Sequence, residues 1–127
     1  MESPDWIAYT AFHPAYARVM GWAIDEPYGF ALIDSNGDGL EVSFELLKRE
    51  ADGWRDIYCM DDVRGDGPGS GWAHPDVVWA YGRGAPGSAI EVDHAGMRHE
   101  VAVADNGWWA FIRQVDAPGG YNVPRPR

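Results

Sequence analysis

The sequence predicts an all-β protein, an antiparallel β-sandwich built from two meander-like halves. Apolar and polar residues alternate with a period of two over several short segments, which is typical of strands buried on one face. Asn-Gly and Asp-Gly pairs separate many of these segments and favour tight hairpin turns. The chain has 127 residues, of which 16 are glycine and 7 are tryptophan. This length fits a single domain, residues 1–127, with one core.

The first half of the predicted sandwich is a meander of three strands. The segment "YGFALI" leads into the turn residues "DSNGDG". Val42, Phe44 and Leu46 then alternate with polar residues and predict a half-buried strand. The turn "ADG" and the strand "WRDIYCM" follow. Residues 1–24, which are interrupted by Pro14, are expected to form an irregular N-terminal segment.

The second half is expected to repeat this plan. Glycine and proline dominate residues 61–76, which predicts a long loop before the strand "VVWAYGR". The strands "SAIEVD", "MRHEVAVA" and "WWAFIRQV" then form a second meander through the turns "HAG" and "DNG". Trp108 and Trp109 are adjacent, so we expect one in the core and the other partly exposed. Residues 117–127, which end in "VPRPR", are expected to be an exposed, extended tail.

The segment from Val78 to Val115 resembles a pattern found in small uncharacterised actinobacterial proteins. It contains "YGRGAPG", a hydrophobic strand, "GMRHEVAV", and then "NGWW" in a hairpin that ends in an apolar strand. The upstream "GFALIDSNGDG" is similar as well, so the resemblance covers about the last two-thirds of the chain. The resemblance implies an immunoglobulin-like all-β domain in a bacterial protein. It implies no known activity and carries over no catalytic residue.

The chain is strongly acidic, with 20 acidic and 10 basic residues and a net charge of −10. Thirteen of the acids but only four of the bases lie between Asp25 and Asp76. Without a basic stripe we expect no binding to nucleic acid. The acidic face instead favours a basic protein partner or serves as a solvated surface. The sequence has no long apolar run and no leader-like N-terminus, which predicts no membrane contact and a soluble, cytoplasmic protein.

One segment matches the pattern of a calcium loop. Asp34, Asn36, Asp38 and Glu45 hold the first, third, fifth and twelfth places of an EF-hand loop, with Gly39 at the sixth. An EF-hand needs flanking helices, whereas a strand after Gly39 would carry Glu45 roughly 20 Å away at ~3.3 Å per residue. We therefore expect a hairpin turn, with a weak calcium or small-ligand site at Asp34, Asn36 and Asp38 as the alternative.

The chain shows no catalytic constellation, because no paired acid and base or activated nucleophile stands out. Cys59 is the only cysteine, and its apolar neighbours favour a core position. His94 and His99 flank a turn, so we expect them to face each other as a surface pair. The remaining binding candidates follow a glycine-rich loop or depend on an exposed ring: Trp72, His74, Asp76 and Trp109.

The sequence thus predicts a non-catalytic interaction module whose acidic face binds another protein. Weak binding of calcium or a small ligand at the turn from Asp34 to Asp38 is the alternative. No cofactor other than calcium is expected, and the oligomeric state is left open.

Overall fold

The computed structural model describes residues 18–34, 42–60, 69–73, 77–115 and 124–126. All regular structure in these segments is β-strand, and no segment of the described part forms an apolar helix long enough to cross a membrane. The strands are β1 (Arg18–Asp25), β2 (Tyr28–Asp34), β3 (Val42–Glu50), β4 (Gly53–Met60), β5 (Gly69–Ala73), β6 (Val77–Arg83), β7 (Ala89–His94), β8 (Met97–Ala102), β9 (Trp108–Gln114) and β10 (Arg125–Pro126).

The strands form three antiparallel sheets, which confirms the all-β prediction. Strands β1 to β4 form a four-stranded meander in chain order. A second sheet has the order β5-β6-β9, and a third has the order β10-β7-β8. The expectation of a second meander is wrong, because β9 pairs with β6 and not with its sequence neighbour β8.

The first core joins residues of the four-stranded sheet with residues of β6 and β9. Phe30, Leu32 and Phe44 point into it, as the alternation in the sequence predicts. The Phe44 ring centroid lies 5.0 Å from that of Phe30 and 4.9 Å from that of Trp79. These separations are in the range where aromatic rings attract one another, so the cluster ties the two sheets together.

The strand β3 is buried on both faces over its first six residues, which corrects the expectation of a half-buried strand. Ser43, Glu45 and Leu47 face away from the first core, yet Glu45 is only 3% exposed. Leu47 belongs to a second apolar cluster with Ala31 and Ile33. Alternation therefore identifies which residues share a face, but it does not show whether that face is covered.

A third cluster lies against the other face of the second sheet. It joins Ala80 and Trp109 with Val92 of β7 and with Val103. Because apolar clusters lie on both faces of β9, Trp108 is 5% exposed and Trp109 is 3% exposed. The expectation that one of the two tryptophans is partly exposed is wrong for this reason.

Two segments that the sequence predicts to be irregular contain strands. Residues 18–24 of the N-terminal segment lie in β1, and residues 69–73 of the glycine-rich loop form β5. Gly69 fits in a strand because the Tyr81 ring occupies the space that a side chain at Gly69 would need. An aromatic ring on the neighbouring strand thus supplies the packing that the glycine lacks.

The C-terminal segment is not an exposed tail where the structure describes it. Pro124 is fully buried, and β10 pairs with β7 through Arg125 and Pro126. Proline is tolerated there because β10 lies at the edge of its sheet. Residues 117–123 and 127 lie outside the described residues.

Candidate binding cleft

The outer edges of β1 and β9 run side by side, and side chains connect them. Nδ2 of Asn106 donates a hydrogen bond to the carbonyl oxygen of Met20 at 2.7 Å. The backbone N–H of Gln114 donates to Oδ2 of Asp25, also at 2.7 Å. Oδ1 of Asn106 accepts from the backbone N–H of Trp108 at 3.1 Å. These bonds satisfy polar groups at two strand edges and hold the two sheets in a fixed position.

A cleft of about 340 Å³ lies along this boundary. Its walls are Val19 to Trp22 of β1, Trp108 to Ala110 of β9, and Ala102 and Ala104 at and beyond the end of β8. None of these residues is charged, and most of the lining surface is apolar. Pockets for small molecules measure roughly 300–1,000 Å³, so the cleft has room for one apolar side chain or ring.

Local irregularity and small residues keep the cleft open. The register of β1 against β2 shifts between Val19 and Gly21, which makes Met20 the extra residue of a bulge. A bulge bends its strand and changes the direction of its side chains. A Cβ placed at Gly21 would lie 3.5 Å from Leu32 and from Trp108, an ordinary contact distance. The glycine therefore leaves space that a small side chain would fill.

Both tryptophans of β9 pack against residues of β6. The Arg83 guanidinium lies 5.3 Å from the Trp108 ring centroid, and the two residues are opposite each other on β6 and β9. The Trp109 ring covers Gly82, where an added Cβ would come within 2.8 Å of the ring. Trp109, a binding candidate from the sequence, thus lines the cleft as a buried wall and is not an exposed anchor.

The calcium-like segment does not assemble as an EF-hand loop. Asp34 ends β2, is 2% exposed, and pairs with Val42 on the face of the first core. Glu45 lies on the opposite face of the same sheet, because neighbouring residues of a strand alternate. The two carboxylates therefore cannot hold one ion. Asn36 and Asp38 lie outside the described residues, among which no group of three potential metal ligands occurs.

The other candidates follow the glycine-rich loop, and the structure describes only the backbone of Trp72 among them. Trp72 lies in β5, where its backbone pairs with that of Val78. His74 and Asp76 fall outside the segments that the structure describes. Cys59, which was expected in the core, is exposed on β4 because that strand is at the edge of its sheet.

The two histidines near the β7–β8 turn do not face each other. The register pairs His94 with Met97 and His99 with Val92. His94 is buried, whereas Nη1 of Arg113 donates a hydrogen bond to Nε2 of His99 at 3.1 Å. The expected surface pair is therefore wrong, since the two-residue turn places the histidines two residues apart in register.

Most residues of the cleft carry no signal in the sequence. Gly21, Ala102 and Ala104 are small residues whose importance depends on which strands approach each other. Asn106 stands in the turn "DNG" and is explained there as a turn former. Its second role, the hydrogen bond to β1, appears only when β1 lies next to β9.

No protein-family model matches the chain, and no curated protein or solved structure matches it at a significant level. The features that bear on function are therefore the geometry of the cleft and the charge of the chain.

Proposed function

We propose that this protein is a non-catalytic binding module that accepts an apolar side chain of a basic protein partner in the cleft between β1 and β9. The observation that carries the proposal is the lining of the cleft, which is uncharged, mostly apolar and walled by Trp22, Trp108 and Trp109. Protein interfaces gain most of their affinity from a few apolar or aromatic anchors in pockets of this kind.

The cleft is formed before any partner arrives. Hydrogen bonds from Asn106 to Met20 and from Gln114 to Asp25 connect its two strands. Arg83 packs on the ring of Trp108. A partner therefore has little to order on binding, and pre-organised sites lose less conformational entropy.

The charge of the chain favours a basic partner. A net charge of −10 attracts cationic proteins over distances comparable with the Debye length. Such attraction mainly speeds association, while the apolar anchor slows dissociation. We therefore expect the association rate, more than the dissociation rate, to fall as salt is added.

The arrangement that we infer for this module is an immunoglobulin-like β-sandwich in a cytoplasmic protein. The first core supports it, because that core joins one face of the four-stranded sheet with β6 and β9. The location and the absence of catalysis rest on features of the sequence alone.

Peptide selection, followed by binding measurements on a variant with an aromatic ring in the cleft, tests the proposed function. The immobilised chain selects binders from a library of random peptides, and we expect peptides with an aromatic or large aliphatic residue among lysines and arginines. Ala104→Phe fills the exposed rim of the cleft and should weaken binding of these peptides about tenfold or more. Ala51→Phe adds the same ring to an exposed alanine of the β3–β4 turn and should leave binding unchanged.

A second variant, Gly21→Val, narrows the cleft from the β1 side, where a Cβ has room. Circular dichroism and thermal unfolding establish that each variant is folded before its binding is compared. Selection of peptides without an apolar anchor would contradict the proposal. Unchanged binding by folded Ala104→Phe and Gly21→Val would contradict it as well.

A further inference from the structure

Among the described strands, β8 is a sheet edge that carries no bulge or proline. Proteins normally shield such edges with bulges, prolines or side chains, because exposed N–H and C=O groups accept another strand. In the part of the chain that the structure describes, hydrogen bonds connect β1 to β9. Ile57 forms a bulge in β4, and β10 contains Pro126. The six residues of β8 pair with β7 without any irregularity, and their other side has no strand partner among the described strands.

The turn between β7 and β8 determines which backbone groups point outward. His94 and Met97 flank a turn of two residues, so they form the first hydrogen-bonded pair of the hairpin. Hydrogen-bonded and non-hydrogen-bonded pairs then alternate along the ladder. The N–H and C=O groups of Arg98, Glu100 and Ala102 therefore point away from β7, toward the open edge.

We propose that β8 binds β8 of a second copy of this chain in an antiparallel arrangement, with His99 opposite His99 on the two-fold axis. In this register Arg98 of each copy lies opposite Glu100 of the other, and both residues present outward backbone groups. A shift by two residues places Arg98 opposite Arg98 or Glu100 opposite Glu100, which is unfavourable. A shift by one residue places outward-pointing backbone groups of one copy opposite inward-pointing groups of the other, so no ladder of hydrogen bonds forms.

The charges on β7 explain why contact with a second copy is electrostatically favourable for Glu100. Within its own hairpin Glu100 lies opposite Glu91, a pair of like charges. Arg98 of the same chain contacts Glu91 at 3.2 Å and Asp93 at 3.6 Å. Arg98 of the second copy brings a positive charge to Glu100, so the paired edges alternate in sign.

The apolar side chains of β8 also favour this register of the dimer. Met97 is 55% exposed, the most exposed large apolar side chain in the described part of the chain. In the proposed register it lies opposite Val101 of the second copy, which is partly buried against the third cluster. Pairing thus covers Met97 while it extends the sheet β10-β7-β8 into a six-stranded sheet. Because such an edge contact is small, the dimer is expected to depend on concentration.

Sedimentation velocity over a concentration series tests this dimer. Wild type should shift from monomer to dimer as its concentration rises. Glu100→Arg sets arginine against Arg98 and should raise the dissociation constant about tenfold or more. Asp105→Arg makes the same charge change at an exposed turn residue outside β8 and should keep the dimer.

Mixing two charge variants tests the register itself. Arg98→Glu alone should also be monomeric, but an equimolar mixture with Glu100→Arg restores opposite charges at both pairs and should form a heterodimer. A wild type that stays monomeric, a Glu100→Arg dimer as strong as that of wild type, or a mixture of two folded variants that stays monomeric would overturn the proposal. The comparison of Glu100→Arg with Asp105→Arg decides the matter even if Arg98→Glu, which loses its own ion pairs, does not fold.

Discussion

The replacement Gly82→Ala should destabilise the protein although it adds only one methyl group. Gly82 lies opposite Trp109 on β6 and β9. A Cβ at this position would be 2.8 Å from Cζ2 and Nε1 of the indole and 2.9 Å from Cε2. The ring cannot easily move, because Trp109 is 3% exposed and packs on Val92 and Val103.

The expected cost follows from this overlap. A distance of 2.8 Å is about 0.7 Å shorter than the roughly 3.5 Å at which carbon atoms attract. Over-packing of a dense core costs about 1–3 kcal/mol. Replacing glycine in a strand returns about 0.5–1 kcal/mol through the lower entropy of the unfolded chain. We therefore expect a net loss of about 1–2 kcal/mol, or about 3–10 °C in melting temperature.

Thermal and urea unfolding of matched variants measure this effect. Gly21→Ala is the control, since its Cβ meets Leu32 and Trp108 at 3.5 Å and should be tolerated. In a Trp109→Phe background the smaller ring should reduce the penalty of Gly82→Ala, so the two changes should not be additive. Equal stability of Gly82→Ala and Gly21→Ala, or full additivity with Trp109→Phe, would refute the reasoning.

Three further predictions concern a turn, a buried phenol and the calcium-like segment. Ala95 has a φ of 51°, a left-handed conformation that costs alanine about 1 kcal/mol, so Ala95→Asn should raise the melting temperature; a lower value would contradict this. Burial, and to a lesser extent Tyr58, raises the pKa of Tyr81 above 10.0. The folded state therefore keeps this proton to a higher pH than the unfolded state does. The stabilisation that results is complete below about pH 10 and is lost as pH rises through the raised pKa of Tyr81. Tyr81→Phe should flatten this alkaline loss in pH-dependent unfolding, and an unchanged slope would show that other groups cause it. If the segment after β2 binds calcium, millimolar calcium should raise the melting temperature of wild type but not of Asp38→Ala, which leaves the buried Asp34 intact; no shift in wild type would exclude the site.

Local chemistry was enough to locate most of the strands and turns. Val42, Phe44 and Leu46 lie on one face because every second residue of a strand points the same way. The turn at Ala95 and Gly96 lies where the sequence places it, and Gly96 has the positive φ that such turns need. The same local logic argues against an EF-hand, and in the structure Asp34 and Glu45 lie on opposite faces of the sheet.

The candidate site was much harder to foresee, because its residues are ordinary in sequence. Trp109 was recognised as important, but its burial depends on Val92 and Val103, which lie on other strands. Cys59 has apolar neighbours in sequence, yet it is exposed on β4, which is the edge strand of its sheet among the described strands. Exposure is a property of what packs against a residue, and local pattern does not contain that information.

By itself, the sequence determined the all-β class, the alternation within most of the strands and the positions of most of the tight turns, because these depend on residues within a few positions of one another. Only the tertiary structure decided that β9 pairs with β6, that both faces of β3 are covered, and that the edge of β1 meets the edge of β9. Each of these results depends on contacts between distant segments, such as the 86 positions between Met20 and Asn106. The cleft and the open edge of β8 both arise from that choice of strand partners.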